Sequence, residues 1–350
     1  MFHVKHCRVG IIGLGRMGST ICEEVVGYEA FVLPYSIAGA CAASERLELA
    51  CGCDLLAEKR EAFRERWGCA ALYEDSREML RQEAPDLVAI CTRAENHAEL
   101  AKAVAETGVP MIYLEKAMAC SMAEADRVKA ACEEHGTLLN TGVLRRFGDH
   151  YQQVRRLITE GVIGEPRAVV QLSGGTLLHS HIHAVDFAMF MLGDPRAVRV
   201  RGELNPRDLV IEGNRLDDDP SAVYQVEFET GAEAWNVPHG NYDVEIIGTA
   251  GTIACLNNGM DFILRRPEDP PKRWARFRPE PLDIRAQRSA TVACLEDLVE
   301  ASETGRPPLN HIGIAHHATE VCLAVAESHR QGGRWIELPL ANRELYVYHI

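Results

Sequence analysis

Gly13-Leu14-Gly15-Arg16-Met17-Gly18 is the stretch on which the fold turns. It follows a short apolar run over 8–12 and opens an amphipathic run over 16–26, so the spacing predicts strand, glycine-rich turn and helix in that order. Three glycines in that setting have separate uses. One makes the tight turn, one lets the backbone approach a pyrophosphate, and one allows the helix to pack closely on the strand. The helix N-terminus adds N–H groups and positive potential for the phosphates. A glycine-rich turn alone carries little weight; the strand before it and the helix after it make it a dinucleotide fingerprint.

The alternation continues outward from that turn. Apolar runs predict strands over 8–12, 47–53, 87–91, 111–114 and 137–141. Amphipathic runs between them predict helices over 16–26, 57–67, 76–82, 98–106 and 122–135. Gly68, Gly108 and Gly136 follow helical runs closely, as C-terminal caps do. The expected first domain, over 1–143, is therefore a doubly wound parallel sheet of Rossmann type. Over 144–350 the rhythm changes to a helix over 149–160, a strand over 168–172, a helix near 183–192 and a run of strands over 198–201, 222–229, 232–236, 242–248, 251–256 and 262–266. Helices over 289–304 and 314–331 close it. That succession predicts an α+β domain with a mostly antiparallel, open sheet. The Pro-rich stretch 267–281 reads as a surface loop, and the segment 28–44, inserted between the first helix and the second strand, as a loop or short helix at the surface.

Asp54 ends the second strand, where a carboxylate accepts hydrogen bonds from ribose hydroxyls and repels a ribose phosphate. NAD is therefore expected rather than NADP, with nearby Lys59 and Arg60 as the reservation. Composition agrees with a small-molecule partner. The chain has 350 residues, 47% hydrophobic and 25% charged, with a formal charge of −14. At ~150 residues per domain two domains are expected, and the acidic balance argues against nucleic acid and anionic membrane surfaces. Twelve dilute, scattered cysteines without a C-x-x-C pair read as reduced core thiols. The start at 1–6 carries a lysine, but the apolar run over 9–12 after it is too short for a signal-peptide core, and no stretch reaches ~18 apolar residues, so a cytoplasmic chain without a membrane span is expected.

With Leu114-Glu115-Lys116 taken into account, the sequence resembles the Gfo/Idh/MocA family, named after glucose–fructose oxidoreductase and inositol 2-dehydrogenase. The resemblance runs through Gly13–Gly18 with Arg16, Cys91-Thr92 followed by His97, Glu115-Lys116, Gly142 to Phe147, Gly161-Val162-Ile163-Gly164-Glu165-Pro166, Gly248-Thr249-Ala250-Gly251 and Gly305-Arg306-Pro307-Pro308. It covers about residues 7 to 340. The resemblance implies hydride transfer between nicotinamide and a carbinol carbon of a sugar, sugar acid or cyclitol. It also implies a homo-dimer or homo-tetramer assembled through the C-terminal sheet. Gly13, Gly15, Arg16, Met17, Gly18, Asp54, Thr92, His97, Glu115 and Lys116 are the residues expected at the cofactor.

Lys116 matches the lysine of the family's Glu-Lys-Pro motif, with Ala117 in place of proline. A partly desolvated ammonium there would stabilise negative charge on the reacting oxygen; the alternative is a solvated surface cation. The family's second signature is met by Gly174-Gly175, then His179 where the family has a carboxylate, His181 where it has glycine, His183 at its histidine and Asp186 at its last aspartate. His183 is the expected general base, His179 an altered third member, and Asp186 structural. Lys116, Arg145, His179 and His183 are the expected substrate contacts; interdomain salt bridging is the alternative for Arg145 and Arg146. Three histidines at alternate positions also admit a metal site or an inert packed cluster, although no cysteine or H-E-x-x-H glutamate completes a ligand set. Two further readings stay open: NAD-dependent glycoside cleavage by transient oxidation, elimination and re-reduction, and a nucleotide-binding scaffold without catalysis.

Overall fold

The structure is a computed structural model that describes residues 6–268 and 275–349. The stretch 1–5 at the start of the chain and positions 269–274 of the expected 267–281 loop lie outside the described residues. The chain forms two compact units, one containing residues up to Phe147 together with Arg288–His316, the other Gly148–Gln287 with His317–His349.

In the first unit, β1 (Cys7–Ile12), β2 (Leu47–Cys53), β3 (Leu72–Tyr73), β4 (Leu87–Ile90), β5 (Met111–Leu114) and β6 (Leu138–Thr141) form one sheet in the order β3-β2-β1-β4-β5-β6. Every neighbouring pair is parallel. The order reverses between β1 and β4, and in open α/β sheets ligands bind beyond the strand C-termini at such a reversal. The central β4 and β5 are apolar and buried along their whole length, as strands covered by helices on both faces are. The helices are α1 (Cys22–Val25), α2 (Ile37–Ala43), α3 (Ala57–Trp67), α4 (Ser76–Glu83), α5 (His97–Glu106) and α6 (Met122–His135). Gly68 and Gly136 end α3 and α6 in the left-handed conformation.

Three expectations change here. The helix over 16–26 is broken: residues Arg16–Thr20 form a wide turn in which Ile21 N donates to Arg16 O, five residues back, and only the short α1 follows. The inserted segment is not superficial. Its α2 carries Ile37, Ala38, Ala40 and Cys41 into the core, capped by Ser36, whose hydroxyl accepts Gly39 N at 3.2 Å. The first unit also does not stop near 143, because α9 (Ala290–Thr304) belongs to it. Val292, Cys294, Leu295, Leu298 and Val299 join the same core as Val9 and Ile37, and Asn140 Nδ2 donates to Asp297 Oδ2 at 2.9 Å. Burial of that apolar face and a satisfied buried amide fix α9 there.

The second unit opens with α7 (Asp149–Thr159) and contains α8 (Ile182–Leu192). Helix α10 (Ile312–Arg330) begins in the first unit's closing segment and runs into the second. A nine-stranded sheet takes the order β15-β14-β13-β12-β7-β11-β10-β8-β16. Its strands are β7 (Pro166–Ser173), β8 (Ala197–Asn205), β10 (Ser221–Phe228), β11 (Glu233–Val237), β12 (Asn241–Gly248), β13 (Thr252–Leu256), β14 (Asp261–Pro267), β15 (Phe277–Leu282) and β16 (Ile336–Glu337). Within this sheet only β7 and β11 pair in parallel. β9 (Arg215–Leu216) and β17 (Tyr346–Val347) form a small pair of their own. The described end of the expected Pro-rich loop is therefore a strand. Pro279 and Pro281 lie two apart on β15, which pairs with β14 alone. An edge strand tolerates proline because one row of its backbone groups needs no partner.

Candidate active site

The glycine turn sits at the end of β1 under tight packing. Gly13 has φ +93°, and a Cβ on it would lie 2.7 Å from Cys91 O. On Gly18 a Cβ would come within 2.2 Å of Gly13 O, so the turn folds back on itself only with glycine there. Gly15 differs: a Cβ would meet nothing nearer than Lys59 Nζ at 3.6 Å. Its open face is where a phosphate can approach the backbone.

Asp54, just past β2, faces the same turn. Its Oδ2 accepts Leu14 N at 2.9 Å and its Oδ1 accepts Leu56 N at 3.0 Å. Lys59 Nζ stands 4.0 Å from Oδ2, while Arg60 donates to the carbonyls of Asp54 and Leu55 and pairs with Glu74. The two cations reserved for a ribose phosphate are thus engaged by the protein. Arg16 pairs with Glu24, which raises the guanidinium pKa, so its side chain runs along its own segment. Met17 packs against the core of the unit.

Two loops follow β4 and β5, and His97 ties them. It starts α5 rather than sitting in an open loop, and it is fully buried. Its Nδ1 lies 2.7 Å from Ala117 O and its Nε2 3.1 Å from Thr92 O. His97, expected at the cofactor, here holds with its ring the backbone of Thr92 and of the turn after Lys116. Glu115, 7% exposed at the end of β5, accepts the Tyr113 hydroxyl on Oε1 and Lys116 N on Oε2 at 3.2 Å. Burial first, and the Glu115 charge second, hold the Tyr113 phenol well above its ordinary pKa. That carboxylate braces the base of Lys116, whose side chain is half-buried. The Lys116–Ala117 peptide bond is cis. Past β6, Arg145 is half-buried on the 3-10 turn Leu144–Phe147, and Arg146 is buried, donating to Leu309 O at 3.3 Å.

In the second unit, Gly174-Gly175 leads into a second wide turn, Leu177–His181, before α8. A Cβ on Gly175 would fall 2.1 Å from Ser180 Oγ, so the turn can close on the pair only because it lacks side chains. The three histidines diverge: His179 is exposed, His181 fully buried and His183 half-buried. Among the described residues no group of three or more His, Cys, Asp and Glu side chains is arranged to hold a metal ion. Asp186 is buried in α8.

Sequence reading missed the residue that anchors this turn. Asp219, the last of three consecutive acids before Pro220, accepts Thr176 Oγ1 at 2.7 Å, Leu178 N at 2.7 Å and His179 N at 2.9 Å, and His349 Nδ1 lies 3.3 Å away. Burial opposes its ionisation, but the hydrogen bonds from His349, Leu178 and Thr176 outweigh that and hold the carboxyl below its usual range. The chain thus has a carboxylate behind His179, supplied from a segment 40 residues further on. The His179 and His349 rings stand 5.2 Å apart.

The family model "Oxidoreductase family, NAD-binding Rossmann fold" (GFO_IDH_MocA) matches residues 7–143, and the "GFO/IDH/MocA C-terminal domain" matches 151–254. The chain belongs to the Gfo/Idh/MocA family of oxidoreductases. Similar members include myo-inositol 2-dehydrogenase of Thermotoga maritima, 24% identical over 86% of this chain and 90% of that protein. Another is scyllo-inositol 2-dehydrogenase (NAD(+)) of Bacillus subtilis, 28% identical over 70% and 72%. The crystal structure of aldose-aldose oxidoreductase from Caulobacter crescentus has the same fold, with a TM-score of 0.77, 21% identity and coverage of 95% of this chain and all of that one (100%). Within a Gfo/Idh/MocA Rossmann domain, the open face of Gly15 and the anchored carboxylate of Asp54 fit NAD.

Proposed function

We propose that this chain is an NAD-dependent dehydrogenase acting on a secondary hydroxyl of a sugar, sugar acid or cyclitol, or on the corresponding ketone. The observation that carries this reading is Lys116. It stands at the end of β5, braced by Glu115 and tied through Ala117 to His97, in a chain whose family relatives include two inositol 2-dehydrogenases. NAD, when bound, supplies the hydride acceptor. Gly13, Gly15, Met17 and Gly18 form its phosphate turn, with the backbone of Arg16; Asp54 receives the ribose hydroxyls, and Thr92 and Glu115 border the nicotinamide end.

The chain's own chemistry is proton handling. Lys116 Nζ hydrogen-bonds the substrate oxygen and stabilises the charge that grows there as the hydroxyl proton departs. The His183 imidazole takes that proton, since histidine is the side-chain type whose reference titration range lies nearest neutrality. His179 presents an exposed ring backed by Asp219, and with Arg145 it binds the remaining hydroxyls or a carboxylate of the substrate. Activity with NAD across a sugar and polyol panel, compared with the Lys116→Ala variant, tests the reading.

We also propose assembly through the open face of the nine-stranded sheet. Leu172, Trp235 and Val237 are each about two-fifths exposed there, and Val237 lies in register with Leu172. Apolar groups clustered on an open sheet face mark a protein contact. Ten of the twelve cysteines are buried, as the small apolar side chains of a core are, which supports a reducing, cytoplasmic location. No helix of the described residues is long and apolar enough to cross a membrane.

A further inference from the structure

Strands β7, β11 and β10 lie side by side, and their register sets three polar side chains in one row. Gln171 is the partner of Asn236, and Asn236 of Tyr224. All three face the side covered by α8 and the Leu177–His181 turn, since Gln171 Nε2 donates to Ala184 O at 2.8 Å and the Tyr224 ring stands 5.7 Å from that of His181. Ser173 follows Gln171 by two residues on the same face. Gln171, Ser173, His181, Tyr224 and Asn236 are all buried, none more than 4% exposed. Yet among the described residues Gln171 Oε1, Ser173 Oγ, Tyr224 Oη and Asn236 Oδ1 have no protein hydrogen-bond partner, and neither His181 ring nitrogen makes a well-formed bond, although the ring lies against the Ser173 backbone.

Native proteins leave few buried polar atoms unpaired, and apolar side chains would fill this row at less cost if it were dry. The chemistry of the six atoms is mixed: amide oxygens that accept, hydroxyls that do both, and a ring with one donor and one acceptor when neutral. Only a small ligand that both donates and accepts satisfies such a set.

We propose that the space between this row and the Leu177–His181 turn is a permanent internal water site. With about three hydrogen bonds per buried water, six atoms call for roughly two molecules. The waters bridge the sheet to His181 and fix the inner side of the turn, while Asp219 fixes its outer side. The histidine segment is thereby held from both sides, whichever substrate the enzyme takes.

Two experiments on the full-length protein test this. A crystal structure that shows ordered solvent is expected to place water within hydrogen-bond distance of Tyr224 Oη and of a His181 ring nitrogen. A dry row, with the six atoms bonded to one another, overturns the proposal. Independently, Tyr224→Phe keeps the ring volume and removes one bond to water, so Tm is expected to fall. An unchanged or raised Tm, as expected for removing an orphan hydroxyl from a dry site, also overturns it.

Discussion

The backbone amide of Leu14, inside the glycine turn, donates to Asp54 Oδ2 over 2.9 Å. One carboxylate therefore fixes the glycine turn, and in the proposed reading the same carboxylate receives the ribose hydroxyls. A carboxylate accepts about four hydrogen bonds, so the Leu14 and Leu56 amides leave capacity for ribose hydroxyls. Asp54→Ala is expected to raise the KM for NAD by about 10- to 100-fold, the range for lost hydrogen bonds to a charged group. It should also narrow the preference for NAD over NADP, because Lys59 then stands beside the ribose unopposed. Steady-state kinetics with both cofactors measures the change; an unaltered ratio contradicts the assignment.

Asp219 is expected to matter for the second unit. In Asp219→Ala the amides of Leu178 and His179 and the hydroxyl of Thr176 lose their acceptor, and His349 loses its anion. Charge-assisted hydrogen bonds are worth about 1.5–3 kcal/mol each, and water will replace part of that. A drop in stability of about 2 kcal/mol, read from denaturant unfolding, is expected together with lower kcat/KM. Because the carboxyl is held below its usual pKa in the folded protein, its contribution is present above about pH 4 and is lost on further acidification. Equal stability of variant and parent at neutral pH would count against the anchoring role.

His181 predicts a pH dependence of its own. Burial lowers its pKa to about 4 from an ordinary 6.5, against a smaller opposing effect of Asp219. The unfolded chain therefore takes up a proton below about pH 6.5 that the folded chain accepts only near pH 4. Stability falls as pH drops through that window, by about 3 kcal/mol in all. His181→Gln removes this part of the slope. Unfolding free energies of both proteins between pH 7 and 4 measure it, and parallel curves contradict the assignment.

The open sheet predicts an assembly. Trp235→Glu adds a charge to the face that carries Leu172 and Val237 without touching the buried side of β11. The parent is expected to sediment as a dimer or tetramer and the variant as a smaller species with unchanged far-UV circular dichroism. Identical sedimentation would remove this face from the interface.

Much of the framework was legible because local signals and tertiary packing agree. The apolar runs 47–53 and 111–114 and the amphipathic runs 57–67 and 122–135 have the same bounds as β2, β5, α3 and α6. The glycine turn was readable because its geometry requires glycine at 13 and 18. What escaped depends on partners distant in sequence. Helix α2 is built of Ile, Ala, Gly and Cys between Ser36 and Ser44, a composition that reads as a loop or short surface helix until α9 packs on it. Asp219 looks like one acid of three beside Pro220, and only its contact with residues 176–179 distinguishes it. His97 stands where a ligand contact is reasonable from topology, and its burial between two carbonyls follows from the loops closing around it. β15 was hidden by prolines that an edge strand accepts.

The most direct test is the rate of NADH formation by Lys116→Ala. With some member of a sugar and polyol panel the parent enzyme should raise NADH absorbance steadily. The variant should keep its Tm and lose kcat by about 100-fold or more, the usual loss when a group stabilising a developing oxyanion is removed. Full activity of Lys116→Ala on the same substrate would contradict the account.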